Sequence, residues 1–279
     1  MKNRNFFIVD VFAEEKYTGN PLAVVLNAEN LSHRTMQQIA KEMNYSETTF
    51  ILSKEPINNG YDVKIFTPEE EVPFAGYPTL GSAFIIQQKI IGKNVSQINL
   101  NLGIGQIPVI FEENNERLWM KQKPPVFGEI IPPAEMTPIL NLSVNDIDER
   151  FPIQAVSTGF PFFIVPIKTL KAVKHAWIAT NKYFEFVAHR ETKDILIFCP
   201  ETYHKGNNLN VRVFPVYHGI PEDPATGSAN GCLAGYLIKH RYFDQPHIDI
   251  RVEQGYEIGR PSLLYCRAEE TNDKIHVSV

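Results

Sequence analysis

The chain repeats itself, and that repetition constrains its fold more than any other feature. Thr18-Gly19-Asn20-Pro21-Leu22-Ala23-Val24-Val25 is echoed by Thr158-Gly159-Phe160-Pro161-Phe162-Phe163-Ile164-Val165, each a Thr-Gly-x-Pro turn leading into an apolar strand. Further on, Asp62-Val63-Lys64-Ile65-Phe66 is matched by Asn210-Val211-Arg212-Val213-Phe214. Both alternating strands run through a proline-bearing acidic loop into a small-residue segment. These segments are Gly76-Tyr77-Pro78-Thr79-Leu80-Gly81-Ser82-Ala83 and Asp223-Pro224-Ala225-Thr226-Gly227-Ser228-Ala229. Two echoes in the same order at nearly the same offset are the trace of a duplicated domain. The division expected is 1–122 and 123–262, with the stretch 263–279 left the option of returning to the first domain as a last strand. Lys123-Pro124-Pro125 and Ile131-Pro132-Pro133 make the segment from Lys121 to Pro133 read as a stiff linker.

Within the first half, Leu31, Met36, Ile39, Ala40 and Met43 recur at helical spacing behind Ser32, a candidate N-cap, which predicts a helix over 32–44. The β-prone run Ser46 to Leu52 follows, so Glu47 falls where a helix gives way to a strand. The two small-residue segments open helices expected from Thr79 to Lys89 and from Thr226 to Lys239. The second has small or apolar residues on nearly every side and belongs inside. The rest of the chain, including Leu100 to Phe111 and Ile248 to Val252, reads as short strands joined by turns. The expected fold class is therefore α+β, two similar barrel-like domains each wrapped around a central helix.

Composition narrows the function. With 43% hydrophobic and 21% charged residues the chain has ample material for a core, so disorder is excluded. The net charge of −5 and the scattered Lys and Arg leave no footprint for nucleic acid or an anionic membrane. The apolar run Phe6 to Val9 is too short for a signal core, so a cytoplasmic location is expected. Cys199, Cys232 and Cys266 form no Cys-x-x-Cys pair, and no two histidines stand at metal-ligand spacing on a helix, so no metal is expected. Gly103-Ile104-Gly105 lacks the third glycine of a dinucleotide fingerprint and its helix, and reads more simply as a strand turn.

If the two halves face each other, their helix starts converge on one cleft, where N–H groups and helix dipoles favour a carboxylate or enolate. A small carboxylate-bearing substrate follows, with Glu47 and Asp223 as candidate acids. A carboxyl sheltered at a helix-to-strand junction suits moving a proton to and from carbon, although a lone glutamate is more often a solvated surface charge. Asp223, in Pro221-Glu222-Asp223-Pro224, reads equally as a turn residue or N-cap. Tyr77 and His218 are candidate proton carriers or substrate hydrogen-bonders, and either could be plain loop packing. Ser228 lacks the Gly-x-Ser-x-Gly elbow of a hydrolase nucleophile.

With those residues in place, the chain resembles the PhzF-like proteins of phenazine biosynthesis, whose fold is shared with diaminopimelate epimerase. The blocks that carry the resemblance are Asp10-Val11-Phe12, Gly19-Asn20-Pro21-Leu22-Ala23-Val24-Val25, Ser46-Glu47-Thr48-Thr49-Phe50, Pro73-Phe74-Ala75-Gly76, Asp223-Pro224-Ala225-Thr226-Gly227-Ser228-Ala229 and Glu253-Gln254-Gly255. The resemblance implies a cofactor-independent isomerase, a homodimer, and Glu47 as general acid/base. It gives Asp223 a part in substrate binding or proton relay, and makes Asn20, Gly76, Tyr77, Pro78, Thr79, Thr226, Gly227 and Ser228 substrate-binding. One departure stands out: the family usually has Gly-His-Pro-Thr where this chain has Gly76-Tyr77-Pro78-Thr79. Tyrosine, with an unperturbed pKa of about 10, donates a hydrogen bond but shuttles protons poorly at neutral pH. The related racemases carry one cysteine in each helix-opening loop, and neither loop here holds one. Two other readings stay open: a small-acid binding protein that has lost turnover, and an epimerase working with Glu47 and Asp223.

Overall fold

The computed structural model describes residues 4–112 and 117–279, which fall into two compact units, Met1–Lys121 and Gln122–Val279. In the first unit β1 (Phe6–Val11), β2 (Asn20–Val25), α1 (His33–Met43), β3 (Thr48–Ile51), β4 (Tyr61–Phe66), β5 (Glu71–Val72) and α2 (Gly76–Ile85) are followed by β6 (Gln97–Leu102), β7 (Gly105–Phe111) and β8 (Leu118–Met120). The second unit runs β9 (Val126–Ile131), α3 (Pro133–Leu140), β10 (Ile153–Ser157), β11 (Pro161–Pro166), α4 (Leu170–His175), α5 (Thr180–Val187), β12 (Asp194–Cys199) and β13 (Leu209–Phe214). It closes with α6 (Gly227–Lys239), β14 (His247–Gln254), β15 (Ser262–Thr271) and β16 (Lys274–Ser278).

Each unit is one sheet curled around one helix. The first has strand order β1-β2-β3-β4-β6-β7-β8, with β5 on β4, and the second runs from β16 back to β9 in order. From β1 to β8 the pairings are antiparallel, parallel, antiparallel, parallel, antiparallel, antiparallel. From β10 to β16 they repeat the same series. Parallel neighbours need a crossover. Helix α1 supplies it between β2 and β3, the pair α4 and α5 between β11 and β12, and the central helices α2 and α6 supply the others.

The central helices are enclosed because their faces are small. Within α2, a Cβ on Gly81 would come 2.6 Å from Leu22 Cδ2, so glycine lets the helix settle on β2 without displacing the Leu22 side chain. Leu80, Ala83 and Ile85 join Leu22, Val24, Ile65 and Leu100 in that core. At about 1.5–3 kcal/mol for each large side chain buried, this cluster supplies the driving force for closing the sheet. In α6 every residue from Ala229 to Ile238 is buried. Its Gly231 and Gly235 lie under Gln122 and Pro125, at Cβ distances of 1.8 and 2.8 Å. No helix among the described residues is long and apolar enough to cross a membrane.

Four expectations need correction. The segment from Lys121 to Pro133 is not a linker: it contains β9, an exposed edge strand paired with β10. Its prolines stand at the strand's two ends, where no ladder donor is lost. The stretch 263–279 does not return to the first unit, since β15 pairs with β14 and β16 pairs with β15. Helix α2 begins at Gly76, not Thr79, because Pro78 in the first turn lacks an N–H that the helix would leave unbonded anyway. Helices α3, α4 and α5 occupy ground read as strands and turns.

Candidate active site

Glu47 stands where the sequence put it. Helix α1 is capped by Ser32, whose Oγ accepts from Thr35 N at 3.1 Å, and it ends on Asn44 in the left-handed region at φ 54°. That turn redirects the chain into β3, whose residues are all buried, and leaves half-buried Glu47 one residue before the strand. The strand is tied to the central helix by Ser82 Oγ on Thr49 Oγ1 at 3.0 Å. Tyr77, only 5% exposed at the second position of α2, reaches the same point. Its hydroxyl donates to Glu47 Oε2 at 2.6 Å and accepts the Glu47 backbone N–H at 3.2 Å. One phenol therefore fixes both the main chain and the carboxylate of Glu47.

The rest of this loop is arranged around the helix start. Ala75 is the N-cap and supplies no side-chain bond, and Thr79 turns its hydroxyl back onto Ala75 O at 2.7 Å. Thr79 thus closes the first turn and spends its proton there. Asn20, the buried first residue of β2, follows Gly19 at φ 68°, where a Cβ would stand 2.3 Å from Val11 O. Only glycine allows that approach.

The other expected residues belong to the second unit. Asp223 is 7% exposed and is held to β13 by its N–H on Val213 O at 3.0 Å. Its Oδ2 accepts the hydroxyl of Thr226. Thr226 is the N-cap of α6 but does not cap it with its side chain, because that side chain serves Asp223. Gly227 and half-buried Ser228 occupy the first two helical positions. The neighbouring Glu222 is a different case. Arg212 grips it with two bonds, Nε to Oε1 at 3.0 Å and Nη2 to Oε2 at 2.7 Å, while Nη1 donates to Val173 O and Ala176 O. This pair borders an open depression of about 660 Å³ with Trp177, Phe184 and Ile258 in its wall, and none of the expected site residues line it.

Two residues escaped the sequence reading. Asp194 opens β12 at 2% exposure. Burial pushes its carboxyl up to about 7, and the charge of Asp223 adds to the rise. His218, on the exposed turn after β13, lies with Nε2 3.6 Å from Asp194 Oδ2. A single charge at the head of the apolar run Ile195-Leu196-Ile197-Phe198 was the signal available. Gln254, quoted in a motif but given no task, contacts the Asp223 loop from β14. All three thiols are buried, and burial lifts Cys232 to about 11 and Cys199 to about 12, and raises Cys266 as well. A thiolate pair of the racemase kind is therefore not available at neutral pH.

Comparison with known proteins adds to this geometry. A family model described as phenazine biosynthesis-like protein matches residues 9–279. A Clostridium acetobutylicum protein called an uncharacterized isomerase is 33% identical, over 95% of this chain and 89% of its own length. The trans-2,3-dihydro-3-hydroxyanthranilate isomerase of Pseudomonas aeruginosa is 32% identical, over 97% of this chain and 92% of its own. A crystal structure of a Bacillus anthracis phenazine biosynthesis protein of the PhzF family superposes with a TM-score of 0.91 at 28% identity, covering 100% of this chain and 95% of that one.

Proposed function

The chain belongs to the phenazine biosynthesis-like PhzF family of isomerases, and from that premise we propose that it moves a proton between carbons of a small carboxylate-bearing metabolite without a cofactor, using Glu47 as general acid and base. The Glu47 carboxylate takes a proton from a carbon next to an unsaturated or carbonyl group. The electron pair left behind spreads into the conjugated system, and the same carboxyl returns the proton at the far carbon. No atom is gained or lost. Backbone N–H groups at Gly76, Gly227 and Ser228, each in the first turn of a helix without a side-chain cap, supply donors for the negative charge that builds up on substrate oxygen. Asp223 binds the substrate's polar groups or relays a proton to them, and Asn20, Tyr77, Pro78, Thr79 and Thr226 complete the binding set. A homodimer is part of the same proposal, checked by the mass of the chain in solution.

The observation that carries the reading is the bond from Tyr77 to Glu47 at 2.6 Å. It holds one carboxylate oxygen in a fixed place, which is the geometric requirement for removing a proton from carbon. The substrate of the Pseudomonas aeruginosa relative, trans-2,3-dihydro-3-hydroxyanthranilate, is the first compound to test. Replacing Glu47 by Gln keeps the shape and removes the titrating group, so deuterium incorporation from solvent into turned-over substrate is expected to vanish. Retained exchange in Glu47→Gln refutes the assignment. A binding protein that has lost turnover is favoured by one observation, tyrosine in the place where the family carries histidine. It predicts ligand-induced thermal stabilisation without exchange, in the native chain and in Glu47→Gln alike.

A further inference from the structure

The motif Glu253-Gln254-Gly255 has no task in the mechanism above, yet its middle side chain makes four hydrogen bonds, three to the loop that carries Asp223 and one to Asn230 of α6. Gln254 is fully buried at the end of β14. Its Nε2 donates to Asp223 O at 2.8 Å and to Thr226 Oγ1 at 3.0 Å. Its Oε1 accepts Thr226 N at 3.2 Å and Asn230 Nδ2 at 2.9 Å. The amide can sit only one way round: Thr226 N is a donor and must meet the oxygen, while Asp223 O is an acceptor and must meet the nitrogen. Nε2 is therefore a donor toward the Thr226 hydroxyl, which accepts from it. The hydroxyl's own proton is then directed to Asp223 Oδ2, the contact observed.

The residues on either side reinforce this arrangement. Gly255, at φ 79°, lies so close to the loop that a Cβ would stand 2.6 Å from Pro224 O. Glu253 accepts from Tyr203 N, His204 N and Asn207 Nδ2 at 2.7 to 2.8 Å, which anchors the strand's other flank. The end of β14 is a rigid post, and the Asp223 loop hangs from it.

We propose that Gln254 is a positioning residue that, through Thr226, holds the Asp223 carboxylate in one orientation as a hydrogen-bond acceptor. The inference rests on the reading that Asp223 serves the substrate. Methionine at 254 would keep most of the size and add no charge, but lose both donations and both acceptances. Nothing would then fix the direction of the Thr226 hydroxyl, and the bond it gives Asp223 would weaken.

The test uses the full chain with 13C-labelled aspartate. Charged groups near Asp223 are Asp194 on β12, with His218 beside it, and Glu222 held by Arg212, and the variants neither add nor remove a charge. In Gln254→Met the titration of the Asp223 carboxyl is expected to move to higher pH. Thr226→Val is expected to move it the same way, and the double variant is expected to move it no further than the larger single shift. Exchange of trans-2,3-dihydro-3-hydroxyanthranilate should lose about tenfold in kcat/KM in each variant. A purely structural Gln254 would lower the melting temperature and leave the Asp223 titration where it was, and that result overturns the proposal. Independent, additive shifts from Gln254→Met and Thr226→Val overturn it too. Were Asp223→Asn to leave kcat/KM unchanged, the role given to Asp223 would fall, and the titration would still decide the Gln254 geometry.

Discussion

Asp194 offers the sharpest quantitative test of the second unit. Its carboxyl is raised from an ordinary 3.8 to about 7, by burial first and by the charge of Asp223 second. Its Oδ1 has no hydrogen-bond partner among the described residues. The folded value lies above the unfolded one, so between about pH 4 and pH 7 the folded chain binds more protons than the unfolded chain. Stability from this group is therefore fully present at low pH, falls as pH rises through that window, and levels off above it. A gap of about three units corresponds to roughly 4 kcal/mol. Asparagine at 194 imitates the protonated acid at every pH. Asp194→Asn is thus expected to match the native chain near pH 4 to 5 and to exceed it by up to roughly 4 kcal/mol at pH 8. Urea unfolding followed by tryptophan fluorescence reads the difference, since Trp177 lies in the same unit as Asp194. A stability difference that is the same at pH 5 and pH 8 would refute the reasoning, as would a direct titration of Asp194 with a midpoint below 5.

Two further outcomes are expected. Tyr77→Phe removes both bonds to Glu47 and should lower kcat/KM for solvent exchange by about tenfold or more, with little change in fold by circular dichroism; a native rate in this variant would show that Tyr77 orients nothing. Gly231→Ala would place a Cβ 1.8 Å from Gln122 Oε1 and push Gln122 off both Gly227 O and Thr158, at a cost of about 1–3 kcal/mol that denaturant unfolding would measure.

The duplication was legible because it is written in consecutive residues. Turn, strand and small-residue helix recur in order, and the sheets repeat the same series of strand directions. Helix α1 and the place of Glu47 were legible for the same local reason, a Ser cap at one end and Asn44 at the other. Local signals failed where a residue's meaning depends on a distant partner. Prolines around β9 look like a linker until β10 is there to pair with the strand between them. Helix α3 carries Pro138 inside it, and α5 is rich in aromatics and Val, so neither shows a strong helical preference. Asp194 and Gln254 draw their chemistry from burial by segments dozens of residues away, and no spacing in the sequence announces that.

The order in which strands close over the helices bears on how the molecule is made. Helix α2 lies against β1 and β2, which precede it in the chain, whereas α6 packs most against β15 and β16, which follow it. A nascent chain that has emerged from the ribosome only as far as Asp244 holds all of α6, the buried thiol of Cys232 and the Asp223 loop, with no β14 to hang the loop from. Synthesis therefore delivers the amino-terminal unit nearly self-sufficient, while the carboxy-terminal unit waits for its last three strands with an apolar helix uncovered. That interval is when a chaperone or a protease would find the chain.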